Sequence, residues 1–314
     1  NTKRRMTWRY YRPTFEYQAT LWESLDAFGW VGHVNFAYDL VSNAKPKVIV
    51  ELGTHWGVSF FAFCQAVKDH NLPSQLNAVD TWQGEEHAGV YGEEVIKKVK
   101  EISSKFFTSL YITLNRSTFY DALASFADHS IDLLHIDGLH TYQAVKHDFE
   151  SWLPKLKNNG IILLHDTSER GRGFGVWQLW EELVEKYSGT FLMAHSHGLG
   201  FICRNKKLWQ AIEPLQTSFQ LYYGLLYERN LAAKSFAMEL AAISAQLSAT
   251  ESNLVAATKD IAALNQENKR LTTGLGATLR HAENLQAILD DIQNSKLYKL
   301  KQRLSAWRRV VRGK

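Results

Sequence analysis

Two short stretches of this 314-residue chain concentrate side chains able to move a proton or hold a cation. Ile136-Asp137-Gly138-Leu139-His140-Thr141-Tyr142 and His165-Asp166-Thr167 each follow an apolar run. Carboxylate oxygens beside an imidazole nitrogen suit a hard or borderline divalent cation, which makes Asp137, His165 and Asp166 the metal candidates. The same groups are a general-base set, with His165 or His140 taking the proton near Asp137. A plainer alternative stands beside each position. Asp137 and Asp166 would cap the helices that follow, and the histidines would be ordinary surface residues.

Two other stretches have the chemistry of a nucleoside site. Glu51-Leu-Gly53-Thr-His-Trp-Gly57 closes an apolar run with glycines, which let backbone approach a ligand closely. It lacks the Gly-x-Gly-x-x-Gly spacing of dinucleotide binders, and no Gly-Lys-Ser/Thr phosphate loop is present. That disfavours a nucleotide-sugar oxidoreductase. Asp80 ends the next apolar run, where a carboxylate can accept hydrogen bonds from both hydroxyls of a ribose.

The elements that must position these groups follow from periodicity. Residues 47–52, 75–80, 110–114, 131–136 and 160–164 read as strands, with shorter ones over 190–194 and 199–204. Helical patterns cover 57–69, 90–103, 118–127, 141–153 and 174–187. Alternation of helices with continuous apolar strands predicts an α/β domain, its parallel sheet covered on both faces. Such sheets bind ligands at the carboxyl ends of their strands, where Asp80, Asp137, His165 and Asp166 fall.

Four stretches together resemble a known family. Glu51-Leu-Gly-Thr-His-Trp-Gly-Val-Ser59, Val79-Asp-Thr-Trp-Gln-Gly84, His135-Ile-Asp-Gly-Leu-His-Thr-Tyr142 and Gly160-Ile-Ile-Leu-Leu-His-Asp-Thr167 look like class I S-adenosylmethionine-dependent methyltransferases. The branch is the one with macrolide-sugar O-methyltransferases and cephalosporin-hydroxylase-like proteins, often linked to bacterial glycan synthesis and glycosyltransferases. The resemblance covers about 45–204 and implies a doubly wound, Rossmann-like, seven-stranded sheet. It implies that Gly53, with Thr54, Gly57 and Ser59, cradles the methionine part of the cofactor. Glu51 would lie near its amino group, Asp80 would hold the ribose, and Trp82 and Ser117 would flank the adenine. Metal-dependent relatives usually show two adjacent acids where this chain has His165-Asp166. The implied reaction is methyl transfer to a sugar or glycan hydroxyl, assisted by Mg2+ or another divalent cation or by a base. The competing class is a non-catalytic scaffold carrying a methyltransferase-like domain. Arg170 and Arg172 suit a phosphate or acidic sugar, or are solvated loop arginines.

The last hundred residues differ in kind. All five prolines lie at or before Pro214, and nine of ten tryptophans at or before Trp209. Heptad rows start at Leu240 and Ile243 and run to Leu289 and Ile292; thirteen of their sixteen positions are apolar. A strict seven over eight heptads predicts a coiled coil and a homo-oligomer. Asn268 in a core row favours a parallel, in-register dimer, and Gly274 and Gly276 mark a weak point. The division is a basic, aromatic lead with a helix (1–44), a methyltransferase domain (45–204), a helical connector (205–230), a coiled coil (231–294) and a basic tail (295–314).

Charge follows the same division. Residues 1–15 carry five basic side chains and 295–314 carry eight, neither with an acid, so the net +4 leaves −9 on residues 16–294. In the tail, Leu297, Leu300, Leu304, Trp307 and Val311 share one helical face among lysines and arginines. That suits an anionic membrane surface, or a protein partner such as a glycosyltransferase. The acidic body disfavours nucleic acid. Composition (45% apolar, 22% charged) excludes a wholly disordered, collagen-like or disulfide-dense chain. Two distant cysteines read as structural thiols in a reducing compartment. No apolar run reaches the ~18 residues of a membrane span and no signal peptide is visible. The expected location is cytoplasmic, peripheral at the inner face of the membrane. A start at Asn1 rather than Met fits a fragment of a longer protein.

Overall fold

The computed structural model describes residues 6–22, 29–85, 87 and 89–311, with side chains up to 306. Its elements are α1 (Gln18–Trp22), α2 (Val34–Ala44), β1 (Val48–Leu52), α3 (Val58–Asp69), β2 (Gln75–Asp80), β3 (Gly84–Glu85), β4 (Gly89–Val90), α4 (Glu93–Phe106), β5 (Tyr111–Arg116), α5 (Phe119–Ala122), β6 (Ile131–Ile136), α6 (Tyr142–Trp152), β7 (Leu156–His165), α7 (Val176–Lys186), β8 (Thr190–Met193), β9 (Leu199–Cys203), α8 (Lys206–Ile212), α9 (Gln216–Asn294) and α10 (Lys296–Val311).

Seven strands form one sheet in the order β5-β2-β1-β6-β7-β9-β8. The first five are parallel; β9 runs antiparallel to both β7 and β8. The apolar runs are continuous because both faces are covered. Ile49, Leu133, Ile161 and Leu163 enter the core that includes α2 and α3. Val50, Leu52, Leu134, Ile136, Ile162 and Leu164 enter the other core, which includes α6 and α7. Each fully buried aliphatic side chain contributes roughly 1.5–3 kcal/mol, so these runs anchor the strand ends that carry the chemistry. Chain order reverses at β1, flanked by β2 and β6, which opens the crevice of a switch point at their carboxyl ends.

Several local expectations shift. β7 begins at Leu156, because a register break between Ile131 and Leu133 absorbs the polar Lys157-Asn158-Asn159. The β3–β4 hairpin lies where only a polar stretch was read, and α4 begins at Glu93. The helix read over 118–127 is one turn, Phe119–Ala122, followed by a 3-10 turn. Neither acid caps a helix: α6 starts behind Thr141, whose side chain accepts from Ala144 N, and α7 starts behind Gly175.

The chain divides into two compact units, 1–240 and 241–314. In the first, the lead and the start of α9 complete the core. Trp8 Nε1 donates to Tyr223 Oη, which donates to Asp39 Oδ2 at 2.7 Å, while Tyr11 N donates to Asp39 Oδ1. Phe219, Tyr223, Asn230 and Lys234 of α9 are buried. Lys3, Arg4 and Arg5 lie outside the described residues. In the second unit no described side chain is buried, and Leu247, Leu254, Ile261, Leu264, Leu271 and Leu275 are each about 60% or more exposed. The helix runs unbroken through Gly274 and Gly276. Leu297, Leu300 and Leu304 are exposed on α10. The side chains of Trp307, Arg308, Arg309 and Val311, and all of Arg312 and Lys314, lie outside the described residues. Among the described residues no helix is long and apolar enough to cross a membrane.

Candidate active site

The turn after β1 is built from glycine and held by Asp80. Gly53 has φ +85, and a Cβ there would lie 1.9 Å from the Asp137 carbonyl oxygen, so only glycine lets these two strand ends cross. Asp80 Oδ2 accepts from the backbone amides of Thr54 (2.9 Å) and His55 (2.8 Å), and Oδ1 accepts from Trp82 N (2.7 Å). Behind the turn, Glu51 and His135 stand opposite each other on β1 and β6, fully buried, with His135 Nδ1 2.8 Å from Glu51 Oε2. Burial raises the Glu51 pKa against the hydrogen bond from His135.

At the ends of β6 and β7 the acids and imidazoles converge. His140 Nε2 lies 2.8 Å from Asp166 Oδ2 and 3.5 Å from Asp137 Oδ1. His165 Nδ1 lies 3.1 Å from Asp166 Oδ2 and 3.4 Å from Asp137 Oδ1. His165 Nε2 lies 3.1 Å from the Ser196 carbonyl, so that nitrogen carries a proton and donates it. Burial opposes the charge on His140, but its hydrogen bonds to Asp137 and Asp166 outweigh that and hold its pKa up to about 9. Burial likewise opposes the charge on His165, and the charges of Asp166 and Asp137 overcome it. Asp137 and Asp166 sit below the usual carboxylate range: burial raises them, and the charge of His165 with both imidazole hydrogen bonds more than reverses it. The two acids thus favour the charged form of both rings, and a divalent cation would offer the same acids another positive partner.

The donor set fits such a cation. One ligand atom each from Asp137, His140 and Asp166 lie within 4.8 Å of one another. The triad read from sequence had His165 where this geometry has His140; both rings face the same acids. A nucleoside-sized group fits as well. A cavity of about 1130 Å³ opens at these strand ends, just above the usual range for ligand sites, with room for a cofactor and an acceptor. Thr54 Oγ1, in the wall, is buried without a hydrogen-bond partner among the described residues, an acceptor for a donor such as an ammonium group.

Gly53, Thr54, Ser59, Asp80, Asp137, His140, His165 and Asp166 line this cavity. Glu51, Gly57, Trp82 and Ser117 are not part of its wall. Trp82 is fully buried, its indole N–H spent on the His55 carbonyl at 3.0 Å, so it does not flank the cavity. Ser117 donates its amide to Asp80 O, and the next residues, Thr118, Phe119 and Tyr120, form the wall. Arg172 lines the cavity beside Phe174; Arg170 instead pairs with Glu181 and stacks on Trp177. Periodicity and motif reading missed Trp30, His87, Phe174 and His197, which also line it. Trp30 lies 107 positions from Asp137 yet donates its indole N–H to Asp137 Oδ2 at 2.9 Å. Cys64 and Cys203 are free, buried and absent from the wall; burial pushes the Cys203 thiol up to about 12.

Residues 50–167 match the family described as "Methyltransferase domain". The Sinorhizobium fredii protein y4gI is 45% identical over 186 residues, 59% of this chain and 20% of that protein, so the chain spans about a fifth of its relative's length. Among solved structures, the chain resembles the S-adenosylhomocysteine-bound methyltransferase PaMTH1 of Podospora anserina (TM-score 0.46, 14% identity, 61% of this chain and 88% of that one). It also resembles the O-methyltransferase TomG of Streptomyces achromogenes in complex with S-adenosylmethionine (TM-score 0.44, 10% identity, 62% and 90%). The strand order and the crevice at the strand ends are those of a doubly wound, Rossmann-like fold, and the segment that matches the methyltransferase family, 50–167, carries Gly53, Asp80, Asp137, His140, His165 and Asp166.

Proposed function

We propose that the chain is an S-adenosylmethionine-dependent O-methyltransferase acting on a sugar or glycan hydroxyl, with a divalent cation assisting. One observation carries this reading: the glycine turn, Asp80 and the Asp137/His140/His165/Asp166 cluster meet in a single cavity. S-adenosylmethionine supplies an electrophilic methyl group when bound. The chain's residues then have two tasks, holding both partners in line and removing the hydroxyl proton. The turn at Gly53 and the orphaned Thr54 hydroxyl suit the methionine end, with Glu51 behind the turn, and Asp80 suits the ribose. Asp137, His140 and Asp166 would hold the cation, whose chemistry is to favour an alkoxide. With a cation supplying the positive charge in place of the imidazolium, His165 would be neutral and could take the proton at Nδ1, because the Ser196 carbonyl keeps its Nε2 protonated. A sugar hydroxyl is far from ionised at pH 7, which is why so charged a cluster suits it better than it suits an already acidic acceptor.

The test is titration calorimetry with S-adenosylhomocysteine, with and without magnesium. Absence of binding at high micromolar ligand sinks the methyltransferase reading and leaves the scaffold.

The exposed heptad rows of α9 pair with a second copy, parallel and in register at Asn268, because a lone helix does not keep such a stripe in water. The basic face of residues 295–314 rests on an anionic membrane surface, where glycan assembly and a glycosyltransferase partner would be found. Co-flotation with anionic liposomes, lost on deletion of 295–314, tests that placement.

A further inference from the structure

Residues 29–33 of the lead close over the acid–imidazole cluster and are held there from three sides. Ser196 Oγ accepts from Gly32 N at 3.2 Å and donates to the Gly29 carbonyl. His33 Nε2 lies 3.2 Å from the Ser196 carbonyl, the one His165 also uses, and His195 Nε2 lies 3.2 Å from the Gly32 carbonyl. Asn230 Nδ2 donates to the Val31 carbonyl. A Cβ at Gly32 would come within 2.5 Å of the Ser196 side chain, so the segment and its clamp are in full contact.

The product of this clamp is the place of one indole. Trp30 is 6% exposed, stacks on His165 with ring centroids 5.3 Å apart, and meets His135 edge-on at 4.7 Å. Its N–H reaches Asp137 Oδ2, while Asp137 Oδ1 is the oxygen near His140 and His165. A carboxylate with one oxygen tied to a fixed donor can no longer rotate or bind a cation through both oxygens.

We propose that Trp30 is a positioning residue of the site: it fixes Asp137 so that Oδ1 alone faces the cation and the imidazoles. The inference rests on the reading of Asp137 as an active-site acid. Outer-shell partners of this kind typically change metal affinity about 10- to 100-fold.

The decisive variant is Trp30→Phe, which keeps a ring against His165 and removes only the donor. With Mn2+ alone as probe, read from the paramagnetic resonance of the free ion, Trp30→Phe should weaken binding about 10- to 100-fold. The double variant with Asp137→Asn should bind no more weakly than Asp137→Asn itself. Wild-type Mn2+ affinity in Trp30→Phe overturns the proposal. If the unaltered chain binds no Mn2+, the cation reading fails, and the indole nitrogen–proton spectrum decides about Trp30. Its signal, identified by its loss in Trp30→Phe, should move upfield in Asp137→Asn, where a charged acceptor becomes neutral; a signal that stays in place overturns the proposal. S-adenosylhomocysteine affinity on the same proteins reports the cofactor reading separately.

Discussion

Asp80 grips the turn of Thr54: its Oδ2 accepts the Thr54 amide at 2.9 Å and the neighbouring His55 amide at 2.8 Å. The residue proposed to hold the ribose is thus also the tie between the ends of β2 and β1. Hydrogen bonds to a charged acceptor contribute roughly 1.5–3 kcal/mol each, and the freed amides are partly solvated afterwards. Asp80→Ala should therefore lose S-adenosylhomocysteine binding and also about 2–4 kcal/mol of stability in urea unfolding. Asp80→Asn keeps one acceptor and should lose less of both. Full stability in Asp80→Ala would contradict the tie.

Gly53→Ala tests the crossing of the two strand ends. Positive φ alone costs about 1–2 kcal/mol for a residue with a Cβ. The Asp137 carbonyl 1.9 Å away adds a backbone overlap that no rotamer relieves. A strongly lowered melting temperature with no detectable cofactor binding is expected. A variant that folds and binds like the parent would mean that the β1 and β6 ends do not meet as described.

Removing the cation should separate two parts of the cavity. Chelation should leave S-adenosylhomocysteine affinity in place, since Asp80 and the Gly53 turn would hold the cofactor through groups other than those that would hold the cation. Asp166→Asn should abolish Mg2+ binding in calorimetry. Methyl transfer that survives chelation would remove the cation and leave His165 alone as the base.

Asp39 gives a pH dependence of stability that owes nothing to the site. It is 1% exposed, and burial raises its pKa to about 7 against hydrogen bonds from Tyr223 and Tyr11. The unfolded chain releases this proton near 3.8, the folded one near 7, so folding takes up a proton between them. The contribution is complete below 3.8 and is lost as pH rises to 7. Thermal melting should show that slope, and Asp39→Asn should flatten it; an unchanged slope would assign it elsewhere.

Sedimentation of the full chain should report a dimer. Leu254→Asp with Leu271→Asp should return it to monomer, because both residues are exposed on the heptad rows. Asn268→Leu should raise the melting temperature of the helix and broaden the distribution of oligomers. A parent chain that sediments as a monomer at tens of micromolar removes the pairing.

The strands were legible because a two-faced sheet writes itself as runs dominated by apolar residues: Gly160–Leu164 is unbroken, and Ile131–Ile136 is interrupted only by Asp132 and His135. Strand ends followed, and with them Asp80, Asp137, His165 and Asp166. What sequence did not disclose was direction. Trp82 sits beside Asp80 in sequence but turns into the core at φ +50 to satisfy its indole with the His55 carbonyl. His140 reaches the acids only because Thr141, not Asp137, starts α6. Trp30 was beyond reach: nothing near it in sequence marks a neighbour 107 positions away.

Asn230 links distant parts of the chain: its side-chain amide donates to Val31 and Asn35, 199 and 195 positions earlier. A nascent chain emerging from the ribosome can pair β1 with β6 well before this contact exists. Residues 29–33 stay without their last clasp until the start of α9 has been made. A recombinant piece trimmed to the matched segment, 50–167, would carry both acids and both imidazoles but neither Trp30 nor Ser196. The shortest piece worth expressing for activity starts before Trp8 and ends after Lys234.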